Sequence, residues 1–370
     1  MADIKLGVYT ICKNELQFVD KWMECMLEAD HIAVLDTGST DGCYERLLEW
    51  QDRYPGKIII NQKTYSPWRF DIPRDDNLDM IIDLDDIFIS IDLDELMGPA
   101  GWVRKIKDAW RPGVSRMSYK YTWSFDDDGN PGRVFWYNKI HDRTWHWIYP
   151  VHECLVRRDN GSPDYTWAES AQVEDIMLEH HPDKTKSRGS YLPLLELRKK
   201  EYPSDAMGRI YLANEYVYRG MYEKALDEFT EILNTFDYGP IEKAACRRFM
   251  AECDIRLDRT VEAIENYHRS IEADPMYREA YIGLGNLYLS LKLYDMARGT
   301  LEQGLKNGVR RYSWHELDTS WSYGPYDSLC QAYYWSGDYD KSVINAEKAL
   351  SYKPDDERLK KNLELCLKKV

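Results

Sequence analysis

A chain of 370 residues, 44% of them hydrophobic and 31% charged, has room for one to three domains that each bury a core. Its net charge of −15 argues against a general binder of nucleic acid or of anionic membrane, because a phosphate surface demands a positive face. No apolar run approaches the roughly 20 residues of a membrane span. Met1 to Lys5 shows no basic n-region followed by an apolar h-region, so no secretory signal is expected, and the eight cysteines form no C-x-x-C pair, which reads as reduced thiols in a cytoplasmic protein.

Leu6 to Ile11 is a short apolar run expected as a first parallel strand. After the polar Cys12-Lys13-Asn14-Glu15, apolar residues at Leu16, Val19, Trp22, Met23, Met26 and Leu27 keep helical spacing. A second strand, His31 to Leu35, runs into Asp36-Thr37-Gly38-Ser39-Thr40-Asp41-Gly42. A helix (Cys43 to Arg53) and a strand (Lys57 to Asn61) complete a β-α-β-α-β series, which implies a parallel sheet covered by helices. The Asp36 to Gly42 stretch has a structural reading as a capped turn, with Ser39 or Thr40 as N-cap. That reading is compatible with anion binding at the following helix N-terminus.

Ile87 to Ile91 reads as a buried strand that ends in Asp92-Leu93-Asp94-Glu95. In extended backbone Asp92 and Asp94 share a face. Two converging carboxylates repel unless a cation lies between them, and Mg²⁺ or Mn²⁺ often bridges a carboxylate to a diphosphate. The plain alternative is an acidic turn after a core strand. Against it, the Thr10 to Glu15, Asp36 to Asp41 and Asp92 to Glu95 clusters all fall at strand carboxyl ends, where parallel sheets bind ligands.

Three stretches carry a family resemblance: Val8-Tyr9-Thr10-Ile11-Cys12-Lys13-Asn14-Glu15, Val34-Leu35-Asp36-Thr37-Gly38-Ser39-Thr40-Asp41-Gly42 and Ile89-Ser90-Ile91-Asp92-Leu93-Asp94-Glu95. In order and spacing they resemble the family 2 glycosyltransferases of the GT-A fold. Pro67 to Asn77 is similar to that family's Asp-Phe-x-x-x-Arg-Asn stretch. It departs in having Arg69 before Phe70, and in Asp75 and Asp76 standing between Arg74 and Asn77. The resemblance implies an α/β, Rossmann-like GT-A domain with a mostly parallel sheet. It implies a nucleotide-diphosphate sugar donor, UDP-sugar first, a Mn²⁺ or Mg²⁺ cofactor, and inversion by a single displacement. Thr10, Lys13, Asn14, Glu15 and Asp36 would hold the nucleoside, and Arg74 the base or a phosphate oxygen. Asp92 would lie near ribose or metal, and Asp94 would be the main metal ligand. Independently of any family, a divalent cation stabilises the charge that develops on a leaving diphosphate.

Gly98 to Arg111 reads as a helix, and Val114 to Phe125 and Arg133 to His141 as strands. The acids of Asp126 to Gly132 lack the later ligands of a calcium loop and read as a hairpin tip. Trp145 to Leu155 reads as an alternating strand whose Val151-His152-Glu153 is similar to an element of family 2 enzymes that carry helical repeats. A base must take the acceptor's proton. Glu153 is the first candidate and His152 the second, against a structural His–Glu pair. Trp145, Trp147 and Tyr149 fit either a sugar platform or a core stripe. Ile176 to His181 reads as a strand ending in two histidines. The family commonly places a metal-binding His here, and position favours His181 over His180. Lys184, Lys186 and Arg188 follow, either closing on the diphosphate or standing in solvent.

The second half repeats. Leu212-Ala213, Tyr216, Gly220, Tyr222, Ala225 and Phe229 set a helix-turn-helix template that recurs three more times before Pro354. Ala263 and Ala297 stand 34 positions apart, the tetratricopeptide period. This resembles tetratricopeptide repeats and implies an all-α solenoid, capped by a charged helix over Asp355 to Val370. An insertion from Arg310 to Pro325 carries Tyr312, Trp314, Trp321 and Tyr323, and reads as a binding face or as a packed seal. The expected domains are 1–185, a connecting helix within 186–205, and 206–370. Repeat arrays bind peptides or self-associate, so the expected partners are a peptide or protein acceptor and a second copy of the chain. The expected function is sugar transfer to such an acceptor. The alternatives are transfer to a glycan, a lipid-linked saccharide or a modified nucleic acid, and a catalytically silent repeat scaffold.

Overall fold

The computed structural model describes all residues except 1–3, 126–130, 159–169, 184–188 and 312–314. It divides into two compact units, Met1–Arg198 and Lys199–Val370.

In the first unit, β1 (Leu6–Cys12), β2 (His31–Asp36), β3 (Ile58–Gln62) and β4 (Ile87–Ser90) pair in parallel. Antiparallel β7 (Val134–His141) continues the sheet from β4 to β6 (Arg116–Thr122), β10 (Ser170–His180) and β5 (Glu95–Gly98). The order is β3-β2-β1-β4-β7-β6-β10-β5. Every residue of β1 is buried, because helices or the hairpin below cover both faces, so its sequence is continuously apolar rather than alternating. On one face Leu6 and Val8 pack with Trp22 of α1 (Leu16–Met26), Leu47 of α2 (Cys43–Arg53) and Ile106 of α4 (Trp102–Ala109). On the other, Tyr9 and Phe88 pack with Leu78 of α3 (Asp71–Leu78) and with Trp145 and Trp147. Those tryptophans belong to a separate two-stranded sheet, β8 (Trp145–Ile148) with β9 (Cys154–Arg157). Emptying a fully buried Trp22 site would cost about 3–5 kcal/mol. Helix α5 (Tyr191–Glu201) contains the division between the units.

Two local readings are corrected, and one helix was not anticipated. The strand expected over Trp145 to Leu155 breaks into a hairpin, because Tyr149 (φ 80°) and His152 (φ 50°) take left-handed backbone. The helix expected from Gly98 begins at Trp102, since Glu95–Gly98 is the edge strand β5. Asp71–Leu78 is a helix, its Pro73 lying in the first turn, where no backbone donor is lost.

The second unit is a helical repeat. Its pairs are α6 (Ala206–Tyr218) with α7 (Tyr222–Thr235), α8 (Pro240–Arg256) with α9 (Thr260–Ala273), α10 (Arg278–Ser290) with α11 (Tyr294–Lys306), and α12 (Gly324–Ser336) with α13 (Tyr339–Tyr352). Helix α14 (Glu357–Leu367) packs on α13. Small residues set the spacing of the seams: a Cβ at Gly285 would stand 2.6 Å from Leu301, and one at Gly304 2.8 Å from Tyr281. Ala251, Ala263 and Ala297 are fully buried around Tyr267 and Tyr288, so the aromatics fill what the alanines leave. Among the described residues no helix is long and apolar enough to cross a membrane.

Candidate functional site

Arg74 organises the sheet edge. It sits on α3, 4% exposed, and its Nη1 and Nη2 donate to Asp92 Oδ1 at 2.8 Å and Oδ2 at 3.1 Å. Nη1 also donates to Ser90 Oγ at 2.9 Å, and Nε donates to Glu153 Oε1 at 2.6 Å. Burial opposes its charge, but Asp92 and Glu153 outweigh burial and raise its pKa. Lys139, buried on β7, places Nζ 3.6 Å from Asp92 and 3.7 Å from Glu95. Burial pushes Asp92 up, yet Arg74 and then Lys139 hold its carboxyl well below the usual range. Glu95 accepts from the Asp92 backbone N–H and from Tyr121 Oη, both at 2.9 Å. Burial raises its pKa, with Lys139 opposing. Two cations thus hold three carboxylates, and removing one partner of such a buried pair costs about 3–5 kcal/mol.

Asp94 looks elsewhere. Its Oδ2 lies 3.5 Å from His180 Nε2, and His180 Nδ1 lies 3.4 Å from the Trp123 carbonyl oxygen. The His180 ring is held between Trp123, 4.9 Å away, and Tyr121, 6.1 Å away. Burial lowers the His180 pKa, and Asp94 more than offsets it, so the net shift is upward. The reading that chose His181 for the metal shell is not what the geometry offers. His181 turns to Glu179 at 3.3 Å and stacks on Phe125, and only its backbone N–H reaches the Asp94 carbonyl, at 2.7 Å. Successive residues at a strand end face opposite ways, so one histidine at most meets Asp94. A carboxylate oxygen and an imidazole nitrogen with Nδ1 directed at a carbonyl are a donor set that suits Mn²⁺. Asp92, gripped through both oxygens by Arg74, is not free to join that set.

The β1 and β2 ends form a second cluster. Asp36 is fully buried, and its Oδ1 accepts from the N–H groups of Gly38 and Ser39 and from Gln62 Nε2, each at 2.9 Å. Burial raises its pKa, and these bonds outweigh that and lower it. Gly38 has φ +102°, and a Cβ there would sit 3.0 Å from Thr64, so this turn needs glycine. Asn14 locks the two loops together: its Oδ1 accepts from Thr40 N at 2.7 Å, and its N–H donates to Ser39 Oγ at 2.8 Å. Thr10 is buried, its carbonyl taken by Asn77 Nδ2, while Lys13 is exposed and Glu15 buried.

Residues 149–153 are clamped by Phe70 and Arg198. Phe70 N–H donates to the Pro150 carbonyl at 2.9 Å, and Arg198 Nη1 donates to the carbonyls of Val151 and His152, each at 2.9 Å. Arg198 also covers the Tyr149 ring at 3.6 Å. Two left-handed non-glycine residues cost on the order of 1–3 kcal/mol each and persist because these bonds over-determine them. The result presents Glu153 to Arg74, while the His152 ring packs edge-on against Tyr191 at 5.6 Å. Trp145 and Trp147 are buried in the core rather than set out as a platform. Trp147 Nε1 donates to Tyr9 Oη at 2.7 Å, which is itself 2.7 Å from His141 Nε2. Burial lowers the His141 pKa to about 4.

Lys139, Ser90, Gln62 and Arg198 were not singled out from sequence. Lys139 follows Asn138 in a strand of mixed polarity, so no local signal marked it. Lys184, Lys186, Arg188, the Asp126 to Asp128 tip, Tyr312 and Trp314 lie outside the described residues. In the repeat unit a cavity of about 380 Å³ is lined by Glu252, Tyr267, Glu279, Asn286 and Leu317 among others. There the insertion seals a junction, its Leu317 N–H and Trp321 Nε1 donating to Glu279 Oε1 at 3.2 and 2.8 Å.

No family model and no curated protein matches the chain. Among solved structures it is similar to MamA, with 19% identity over 45% of this chain and 89% of that one, at a TM-score of 0.37. It is also similar to TTC0263, a TPR protein of Thermus thermophilus, with 21% identity over 48% and 88% of the two chains, at 0.36. YrrB, described as a TPR protein with an unusual peptide-binding site, matches with 17% identity over 48% and 82%, at 0.35.

Proposed function

We propose that the chain is a metal-dependent glycosyltransferase of the GT-A, family 2 type, moving a sugar from a nucleotide-diphosphate sugar to a peptide or protein acceptor. A UDP-sugar is the first donor to try. One observation carries the reading: the carboxyl ends of parallel β1, β2 and β4 bring the Asp36 loop and the Arg74–Asp92–Glu153 cluster to a single sheet edge. Asp94 lies in the short link between β4 and β5, with His180 facing it from β10. In this reading the Asp36 turn meets the base, with Oδ1 holding the Gly38 and Ser39 backbone in place. Asp94 and His180 hold Mn²⁺ or Mg²⁺. The ion, when bound, supplies charge stabilisation for the departing diphosphate. Arg74 orients Glu153, which takes the acceptor's proton, and Asp92 acts on the ribose side through its grip on Arg74. Inversion by a single displacement is what the resemblance to the family 2 enzymes implies for this reading.

The test is nucleotide release from a panel of nucleotide sugars with Mn²⁺, together with thermal stabilisation by UDP plus Mn²⁺. Release confined to one donor, lost in Asp94→Ala, supports the reading. No shift and no release with any nucleotide would overturn it. A second reading, a catalytically silent repeat scaffold, is favoured by one feature: Asp92 and Asp36 Oδ1 have their hydrogen-bond partners within the chain itself. A silent scaffold gives no release with every donor and acceptor.

A further inference from the structure

Beside the Asp36 turn lies a cluster that the proposed chemistry does not use. Cys12 Sγ, a carboxylate oxygen of Asp36 and Cys43 Sγ all lie within 4.8 Å of one another, and all three residues are buried. Cys12 Sγ is 3.6 Å from Asp36 Oδ2 and 4.0 Å from Cys43 Sγ. Tetrahedral Zn²⁺, with bonds of ~2.3 Å to sulfur and ~2.1 Å to oxygen, requires ligand separations of about 3.8 Å between sulfurs and about 3.6 Å between sulfur and oxygen. The chain therefore already holds these two separations within about 0.2 Å of the required ones. A disulfide needs the sulfurs about 2.05 Å apart, so cross-linking demands far more movement than ligation does.

The fold explains why the three atoms meet. Cys12 and Asp36 are the last residues of β1 and β2, and they are register partners. Cys43 opens α2, where the helix N-terminus favours a thiolate over a thiol. Asp36 keeps all its turn bonds through Oδ1, so Oδ2 can ligate without disturbing Gly38 or Ser39. Two thiolates and one carboxylate select a soft or borderline ion, whereas Asp94 and His180 lack sulfur. We propose that Cys12, Asp36 and Cys43 form a Zn²⁺-class site, separate from the Asp94–His180 pair, that ties β1, β2 and α2 together. The fourth position falls to solvent or an anion, as in zinc sites with three protein ligands.

The test uses the full chain, reduced and stripped of metal, then titrated with Zn²⁺ and separately with Co²⁺. The expected result is one retained Zn²⁺ per chain, thiolate-to-cobalt charge-transfer absorption, and a higher unfolding temperature with Zn²⁺. All three are lost in Cys12→Ala and in Cys43→Ala, and kept in Asp94→Ala and in Cys246→Ala, the last removing a buried thiol of the repeat unit. Should the cysteine variants fail to fold, thiol alkylation of the unmutated chain during mild heating gives the same answer. Zn²⁺ then protects Cys12 and Cys43 and leaves Cys246 and Cys253 unchanged. The proposal is overturned by no stoichiometric Zn²⁺, by equal protection of all cysteines, by retention in the double Cys12→Ala, Cys43→Ala variant, or by loss in Asp94→Ala.

Discussion

Both units bury arginines, and they do so differently. In the repeat unit each is stitched locally: Arg209 to Glu228, Arg248 to Glu252 and Tyr277 Oη, Arg278 to the Asn307 carbonyl. In the sheet unit Arg74 and Lys139 converge on Asp92, with Glu95 and Glu153 drawn into the same cluster. Asp92 retains 30% side-chain exposure, so that cluster reaches solvent. The repeat unit's buried arginines tie neighbouring helices together and so serve packing, Arg209 sharing Glu228 and Glu231 with Lys199. Convergent ones at a parallel-sheet edge hold charge where a ligand arrives, which is where function concentrates.

The comparison breaks most sharply at Arg74. Arg74→Leu leaves Glu153 without its cation and Asp92 with Lys139 alone, and should destabilise the first unit by about 3–5 kcal/mol, read by denaturant unfolding. Arg74→Lys restores charge but not the fork, so it should recover part of that stability and none of the nucleotide response. Equal nucleotide responses in the wild type and Arg74→Lys would count against a converging site. In the repeat unit the comparable break is steric. Gly285→Ala drives a methyl against Leu301 and should cost about 1–3 kcal/mol while leaving nucleotide binding intact. Loss of nucleotide binding in that variant would contradict the separation of roles.

A smaller effect comes from pH. His141 is held neutral, its pKa lowered to about 4 by burial, while the unfolded chain protonates near 6.5. Between those values the unfolded state binds one more proton, so stability is full above pH 6.5 and is lost as pH falls toward 4. The slope is about 1.4 kcal/mol per pH unit. His141→Phe removes that term, so the gap between wild type and variant should shrink on acidification, measured by unfolding at pH 7, 6 and 5. A gap independent of pH would mean that His141 is not buried neutral.

How far the sequence could be read depended on whether one period governed the side chains. Buried β1 and β2 showed as apolar runs, α2 as helical spacing from Cys43 to Arg53, and the repeats as small and aromatic residues in phase. Helix α3 was hidden because its buried face mixes Asp71, Arg74 and Asn77 with Pro73 and Leu78, so no apolar stripe marks it. The choice between His180 and His181 turned on a strand end, where one residue of register reverses the facing. The 149–153 turn was illegible because nothing local favours left-handed Tyr149 or His152. Distant Phe70 and Arg198 impose it. Lys139 was not legible, because it follows Asn138 in a strand of mixed polarity whose first residues are exposed.

The most direct test of the metal and diphosphate site is thermal unfolding with UDP and Mn²⁺ in wild type, Asp94→Ala, His180→Ala and His181→Ala. Stabilisation that needs both ligands, vanishes in Asp94→Ala and His180→Ala, and survives in His181→Ala is the predicted result. No stabilisation of the wild type by any nucleotide, or loss in His181→Ala with retention in His180→Ala, would contradict it.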